Sequence, residues 1–493
     1  MCKLTQSSLG CKQYPTNFLK KDILPSSFRL VRSAPALSTV WLLCLCVQAR
    51  CEVPTYTIEE GVALADAQNP EVVSARKKIE AARGDFISAR SGYLPSVISN
   101  GFYDQRQHQG GTRLRNEDYN ATVRAQENVY TGGATSNLVA ISRLNIDKQE
   151  CEFREISNRV TMDVRIAFYE LLLNRSKVKV RQDSVGVLEE ELKSQQQRFD
   201  AGLVGAINVR RAEVALASER PELINAQTQL QNSYLRLGEL FGMDFQSDPD
   251  KPRFEVSGQL QYLASRPDLN ACLARADVSR PEIQAREKDV EIEERQYLVD
   301  RSELLPHVEV FSAYEIYNER DPDVGPEFNH GYLIGVDATW HLFDGFATKG
   351  KMQATRARHD SAQQALKAAR LSVASEVRSA FLDLEQAENV LESETKNVQT
   401  ADETLEIAKA NANAGLGTQL DVLQAASDVT RTRTTRLSAI YLHNVALARL
   451  ARACGSSPDA LDFGTSNMNK TTKRQGEAQA VGLTNPPAKL SQR

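Results

Sequence analysis

Apolar residues recur at every seventh position over two long stretches, as Val164, Leu171, Val178, Val185, Leu192 and Phe199 and again as Val377, Leu384, Leu391, Val398 and Leu405. A sustained seven-residue period keeps one oily seam turned toward a neighbouring helix and drives supercoiling. Both stretches are therefore predicted as coiled-coil helices rather than parts of a globular core. Proline is absent between Pro95 and Pro221 and between Pro326 and Pro458, so nothing interrupts them. From Gly133 to Arg198 such a helix extends about 100 Å.

Ahead of each long helix the period changes to two. Tyr332, Ile334, Val336, Ala338, Trp340 and Leu342 alternate with Leu333, Gly335, Asp337, Thr339 and His341. An earlier copy sets Tyr119, Ala121, Val123, Ala125 and Val129 against Asn120, Thr122, Arg124, Gln126 and Asn128, with Glu127 breaking the apolar side. Each predicts a strand with one oily and one mainly polar face. A further strand precedes each, over Val308–Ile316 and Val97–Tyr103, and loops near Gly110-Gly111 and Asp321–Pro326 join strand to strand.

The two ladders are one ladder displaced by 213 residues, the separation of Gly202 and Gly415. At the same offset Tyr130-Thr131-Gly132-Gly133 answers Phe343-Asp344-Gly345-Phe346, and Gly242 answers Gly455. At 211, Asn69-Pro70-Glu71 answers Arg280-Pro281-Glu282 and Leu94-Pro95 answers Leu305-Pro306. Most of the chain is thus one strand-strand-helix-helix unit written twice. Residues 50–242 form the first repeat, 243–268 a joining segment, 269–463 the second repeat, and 464–493 a polar tail rich in Asn, Thr, Gln and Pro that reads as disordered.

Each long helix is expected to stop at Ala-Gly-Leu, where Gly202 or Gly415 takes the left-handed conformation that closes a helix C-terminus. The chain then restarts at Asn208 or Asp421, with Thr418 placed to cap the second return helix. The return helices, Val209–Phe241 and Val422–Ala453, and the segments Tyr56–Tyr93 and Leu269–Leu304 each span about 50 Å. Two half-length helices end to end match one long one. Pro221 has Thr434 as its counterpart, which predicts a kink in the first return helix alone.

Composition narrows the function. A net charge of −4 gives no basic excess, so nucleic acid is not an expected partner. The first 49 residues read as an export signal: Lys20, Lys21, Arg29 and Arg32 precede the apolar run Ala36–Val47, and Val47-Gln48-Ala49 offers a cleavage pattern before Arg50. Of the eight cysteines, only Cys151, Cys272 and Cys454 lie well past this leader, and their scatter predicts packing residues rather than a disulfide framework. The six histidines show no paired metal spacing, and neither a phosphate loop nor a nucleophile elbow is present. No enzyme, cofactor or metal is expected.

On the strands alone, two hairpins buried on a soluble helical scaffold and two hairpins facing lipid are both open. The export signal, a strand of about eleven residues, and Tyr332 and Trp340 near opposite ends of the oily stripe favour lipid. Strands in lipid must close into a barrel, because no water is present to satisfy an open edge. Four strands per chain do not close one. Eight from a dimer fill with side chains, whereas twelve from a homotrimer leave a lumen, which is the arrangement of a conduit.

The duplication, the two Leu-Pro breaks, Trp340-His341-Leu342-Phe343-Asp344-Gly345 and the paired Gly-Leu hairpin tips resemble the TolC family of outer-membrane efflux proteins, over about Tyr56–Gly455. The resemblance implies a mainly α fold with transmembrane β: a trimeric twelve-stranded β-barrel in the outer membrane, continuous with a long α-helical coiled-coil barrel in the periplasm. It implies an exit duct for tripartite efflux or type I secretion, fed by an inner-membrane pump through a periplasmic adaptor, with the joining segment belting the tunnel. By the same resemblance the adaptor-docking tips are Gly202, Leu203, Asn208 and Val209 with Gly415, Leu416, Asp421 and Val422. The best-known family member narrows its tunnel with acidic residues that fall here on Asp421 and Gln424. A tyrosine and an arginine that tether the closed tip fall on Ala412 and Gly417, so closure by that lock is not expected. A soluble periplasmic coiled-coil scaffold is the competing reading.

Overall fold

A computed structural model describes residues 54–105, 117–243, 254–265, 267–318 and 329–455. The leader, both strand-joining loops and the tail discussed above lie outside the described residues. The first repeat runs β1 (Thr55–Tyr56), α1 (Ile58–Gln68), α2 (Pro70–Arg90), β2 (Ser96–Gln105), β3 (Glu117–Tyr130), α3 (Ala134–Asp200) and α4 (Ala206–Leu240). The second runs β4 (Glu255–Val256), α5 (Leu269–Ser279), α6 (Pro281–Ser302), β5 (His307–Tyr317), β6 (Asn329–Thr339), α7 (Ala347–Asn413) and α8 (Gln419–Ala453). Both long helices, α3 and α7, contain 67 residues.

The half-length segments Tyr56–Tyr93 and Leu269–Leu304, matched to half-length helices by their span, each divide into two helices. Asn69 and Arg280 hold extended backbone, with ψ of 127° and 118°. The cause is local: Pro70 and Pro281 crowd the preceding residue out of the helical region and then serve as the first residue of α2 and α6. Helix α4 starts three residues before Val209 and passes through Pro221 to Leu240 without a break. Neighbouring turns and packing on α3 hold it together where proline removes one hydrogen bond.

Helices α2 and α4 both pack on α3 and meet end to end, where Asn69 Nδ2 donates to the Leu240 carbonyl at 2.9 Å. Gly242 fits there with φ of +72°, a conformation glycine alone adopts cheaply; a Cβ would stand 2.8 Å from the Gln68 carbonyl oxygen. In the second repeat Arg280 takes the part of Asn69, donating to the Arg452 carbonyl at 2.5 Å. Val164, Leu171, Val377 and Leu384 are buried on the heptad seam, each burial contributing roughly 1.5–3 kcal/mol. The seam loosens toward the hairpin tips, where Phe199 is 41% exposed.

The repeats contact one another where α3 lies against α6 and α8. The joining segment bridges them as well. Phe254 packs on Phe241 and Tyr234, with ring centroids 5.4 and 5.6 Å apart. Arg175 donates to the Val256 carbonyl at 2.8 Å and to that of Gly258. At its far end the Gln261 carbonyl accepts from Asn444 Nδ2 at 2.9 Å, and Tyr262 lies 4.6 Å from buried His443. Burial pushes the His443 imidazole below its ordinary value, so it is neutral near pH 7.

β2, β3, β5 and β6 form one antiparallel sheet in that order. Its registers carry the duplication: Ser96 opposes Gln126 and His307 opposes Thr339, the same pair after the 211- and 213-residue offsets. Among the described residues, neither β2 nor β6 has a second strand partner.

Candidate functional site

Antiparallel register fixes which residues share a face, because directly opposed side chains point the same way. One face carries Tyr332, Ile334 and Val336 of β6 beside Tyr314, Ser312 and Val310 of β5. It continues through Val123, Ala125 and Glu127 of β3 to Ser99 and Val97 of β2. The other face presents Asn120, Thr122, Arg124, Glu309, Glu315 and Asp337, with Ile98, Phe102, Phe311 and Leu333 as its apolar members.

Along β5 the solvent pattern runs opposite to that of a soluble sheet. In β5 the apolar-face residues Val310, Ser312, Tyr314 and Ile316 are exposed, while Glu309, Phe311 and Glu315 are partly enclosed and Ala313 is buried. Tyr332 is 80% exposed. On the enclosed side Arg124 pairs with Glu309 at 2.9 Å and lies 4.1 Å over the Phe311 ring. A polar interior and an oily exterior suit a wall with water inside and lipid outside. Trp340 is displaced from its expected place: the strand ends at Thr339, and the indole lies in the following connection, where Nε1 donates to the Leu304 carbonyl at 3.1 Å. Tyr332 and Trp340 still mark opposite ends of the stripe.

The chain passes from strand to helix through left-handed backbone at Gly132 and Gly133 in one repeat and at Gly345 and Phe346 in the other. At the far end of the helices, Gly202 and Gly415 have φ of +72° and +73°. Leu203 N donates to the Arg198 carbonyl and Leu416 N to that of Asn411, both at 2.9 Å, the six-to-one bond of a Schellman cap.

The two tips then differ. In the second, Thr418 and Asp421 form a capping box: Asp421 Oδ2 accepts from Thr418 N at 2.9 Å and from Thr418 Oγ1 at 2.8 Å. These bonds hold the Asp421 carboxyl below the usual aspartate range. In the first, Gly205 supplies no side-chain cap. Leu203 and Leu416 project into solvent, the latter 84% exposed, whereas Val209 is 6% exposed and belongs to the hairpin core. Asn208 and Val422 are half-buried, and Asp421 and Gln424 share an exposed face of α8. Between the hairpins lies a groove of about 440 Å3 lined by Leu188, Gln195, Asn208, Leu405, Gly417 and Val422.

A cluster at mid-helix was not foreseen. Arg280, 1% exposed, lies 2.7 Å from Glu376 and 3.7 Å from Glu155. Arg452 closes the square at 3.0 Å from Glu376 and 2.7 Å from Glu155. Two arginines and two glutamates thereby join α3, α6, α7 and α8. The only sequence signal was Arg280 standing before a repeated proline. Among the described residues, no helix is long and apolar enough to cross a membrane, and no group of His, Cys, Asp and Glu is placed to hold a metal ion.

Comparison with known proteins follows the same lines. The profile of the outer membrane efflux protein family matches residues 62–243 and again 272–456. Outer membrane protein TolC of Vibrio cholerae is 21% identical over 406 residues, covering 81% of this chain and 91% of that protein. Protein CyaE of Bordetella pertussis is 24% identical over 400 residues, covering 80% and 83%. Among solved structures, the outer membrane protein VceC of Vibrio cholerae superposes with a TM-score of 0.69 at 18% identity, over 81% of this chain and 96% of that one. CusC gives 0.69 at 15% identity, over 81% and 92%.

Proposed function

The chain belongs to the outer membrane efflux protein family, and from that premise we propose that three copies form the exit duct of a tripartite efflux or type I secretion system. Cargo enters from an inner-membrane pump through a periplasmic adaptor, crosses the periplasm inside the helical part, and leaves through a barrel in the outer membrane. Passage needs no chemistry at the wall, and the protein is a channel rather than an enzyme.

The observation that carries this reading is the sheet: along β5 the apolar face is exposed and the opposite face enclosed, and among the described residues β2 and β6 have no second strand partner. Backbone groups at β2 and β6 have no water to bond in a bilayer, so the edge of one copy must take the edge of the next. The repeat supplies the register. Val123 opposes Tyr314 within the chain, and the same offsets set Val336 against Tyr103 of the partner subunit. Twelve strands close a lumen that four or eight do not provide.

At the opposite end, exposed Leu203 and Leu416 with Gly202, Gly415, Asn208 and Val422 form the adaptor-docking surface around the inter-hairpin groove. Val209 stiffens that surface from beneath. Asp421, repeated three times around the axis with Gln424 beside it, narrows the tunnel and favours cations through a focused negative potential. Tyr332 and Trp340 belong to the lipid-facing stripe on the outside of the barrel.

Fractionation with reconstitution tests the reading. A heat-modifiable trimer in outer-membrane detergent extracts, giving discrete conductance steps in planar bilayers, is expected. Recovery as a water-soluble periplasmic monomer overturns it in favour of a scaffold.

A further inference from the structure

The repeat offers an unplanned comparison at the junction where the half-length helices meet. Gly61 is the fourth residue of α1, and Phe241 caps the C-terminus of α4. These positions face each other: a Cβ on Gly61 would stand 3.0 Å from Phe241 Cζ. The corresponding positions in the second repeat, the fourth residue of α5 and the C-cap of α8, are Cys272 and Cys454. Where one copy of the unit packs a ring against a missing side chain, the other packs a thiol against a thiol.

Both cysteines are fully buried in a single cluster with Ala276, Val373, Val377 and Leu450. Both are free thiols in this structure, and burial first, then the neighbouring Cys272 thiol, pushes the Cys454 thiol well up. The surrounding backbone is pinned, since Ser279 Oγ donates to the Cys454 carbonyl at 3.3 Å and Arg280 to that of Arg452. Cys151 lies elsewhere, against Arg154 and Gln284.

We infer that Cys272 and Cys454 form a disulfide that staples α5 to the end of α8 in the exported protein. The inference rests on the reading above in one respect, that the helical body folds in the oxidising periplasm. The two thiols lose two protons and two electrons as the S–S bond forms. The acceptor is the disulfide of a periplasmic thiol oxidoreductase, which is reduced to two thiols after passing through a mixed disulfide. Exchange needs a thiolate, and the buried Cys454 thiol offers little. The bond therefore closes while α5 is still docking, and once packed it is shielded from reductant. It ties the first helix of the second repeat to the last, enclosing β5, β6 and α7 within one covalent loop.

The test uses the full chain, with its leader, produced in a Gram-negative host. Envelopes are quenched in acid, denatured without reductant, blocked with N-ethylmaleimide, digested and resolved by mass spectrometry. The Cys272 and Cys454 peptides are expected as one linked species free of maleimide, with Cys151 alkylated, and reductant applied before digestion should separate them. Maleimide on both Cys272 and Cys454 overturns the inference wherever the protein is found. The fraction in which the chain is recovered reports separately on the duct, so the two readings fail independently. Cys272→Ser, Cys454→Ala and the double variant should lower the apparent melting temperature of the extracted protein by the same amount, matching wild type reduced under denaturing conditions and refolded with reductant. Additive losses in the single variants, unaffected by reductant, would mark two packing residues and no bond.

Discussion

Two adjacent residues at the centre of β6 separate a lipid-facing wall from any other use of the sheet. Ile334 is the sixth residue of an eleven-residue strand, which places it near the bilayer midplane on the outward face, and Leu333 points the other way. Arginine on the lipid face of a barrel at that depth costs about 2–4 kcal/mol. Ile334→Arg therefore costs about 6–12 kcal/mol over three copies, comparable to the whole stability of an ordinary domain. Leu333→Arg adds a charge to a face that already carries Arg124, Glu309 and Asp337, and its cost is about 0–1 kcal/mol. The assay is the fraction of heat-modifiable trimer on unheated gels of outer-membrane extracts, followed by single-channel conductance. Ile334→Arg should abolish the trimer band, Ile334→Leu should leave it, and Leu333→Arg should assemble with altered conductance. Equal losses for the two arginine variants, or a greater loss at 333, would refute the assignment of faces.

Further outcomes follow from the edges, the tip and the mid-helix cluster. Tyr103→Cys combined with Val336→Cys should yield a covalent trimer under mild oxidation, because opposed Cβ atoms lie about 4.5–5.5 Å apart; Phe102→Cys with Val336→Cys, on opposite faces, should not. Asp421→Ala should raise anion passage and weaken block by multivalent cations in planar bilayers. The Asp421 carboxyl is held below its ordinary value of 3.8, so its charge and its capping bonds persist above that value and are lost only as pH falls through the lower folded one. Cation preference should accordingly stay flat from neutral pH down to about pH 4. Arg280→Met leaves Glu155 and Glu376 with Arg452 alone and frees the Arg452 carbonyl. A loss of about 2–4 kcal/mol, discounted for the partial exposure of both glutamates, should appear as a lower melting temperature of the extracted protein.

Period alone made the long helices and the strands legible, since seven-residue and two-residue patterns survive without knowledge of what they pack on. Gly202 and Gly415 were legible for a local reason as well: a left-handed cap needs glycine wherever the helix lies. Asn69 and Arg280 were half-visible. Pro70 and Pro281 mark the repeat in the sequence, while the division of each segment into two helices shows in the extended backbone of the residue before. The mid-helix cluster was invisible, because Glu155, Glu376 and Arg452 come from three helices and Arg280 from the α5–α6 junction, and they carry no local spacing. The meeting of Cys272 with Cys454 was hidden in the same way, although the repeat offset that pairs them with Gly61 and Phe241 was already in hand.

The cluster also explains how a doubled chain avoids pairing its hairpins wrongly. A trimer places six hairpins around the axis, and two kinds of seam alternate. Within a chain, α3 meets α6 and α8 across Glu155, Arg280, Glu376 and Arg452. In the proposed trimer the repeat sets α7 of one copy against α2 and α4 of the next, and the equivalent positions hold Ala368, Asn69, Asp163 and Glu239. That second seam has no arginine at these places, and burial already pushes the Asp163 carboxyl up. If two first-repeat hairpins met, Glu155 would face Asp163 and Glu239 without an arginine from the cluster, gathering like charge where little water enters. If two second-repeat hairpins met, Arg280 and Arg452 would keep Glu376 and Glu282 but lose Glu155. Only alternation brings Glu155 to both arginines of the cluster. In the proposed trimer the positions at which the two copies of the unit have diverged thus favour threefold over sixfold order.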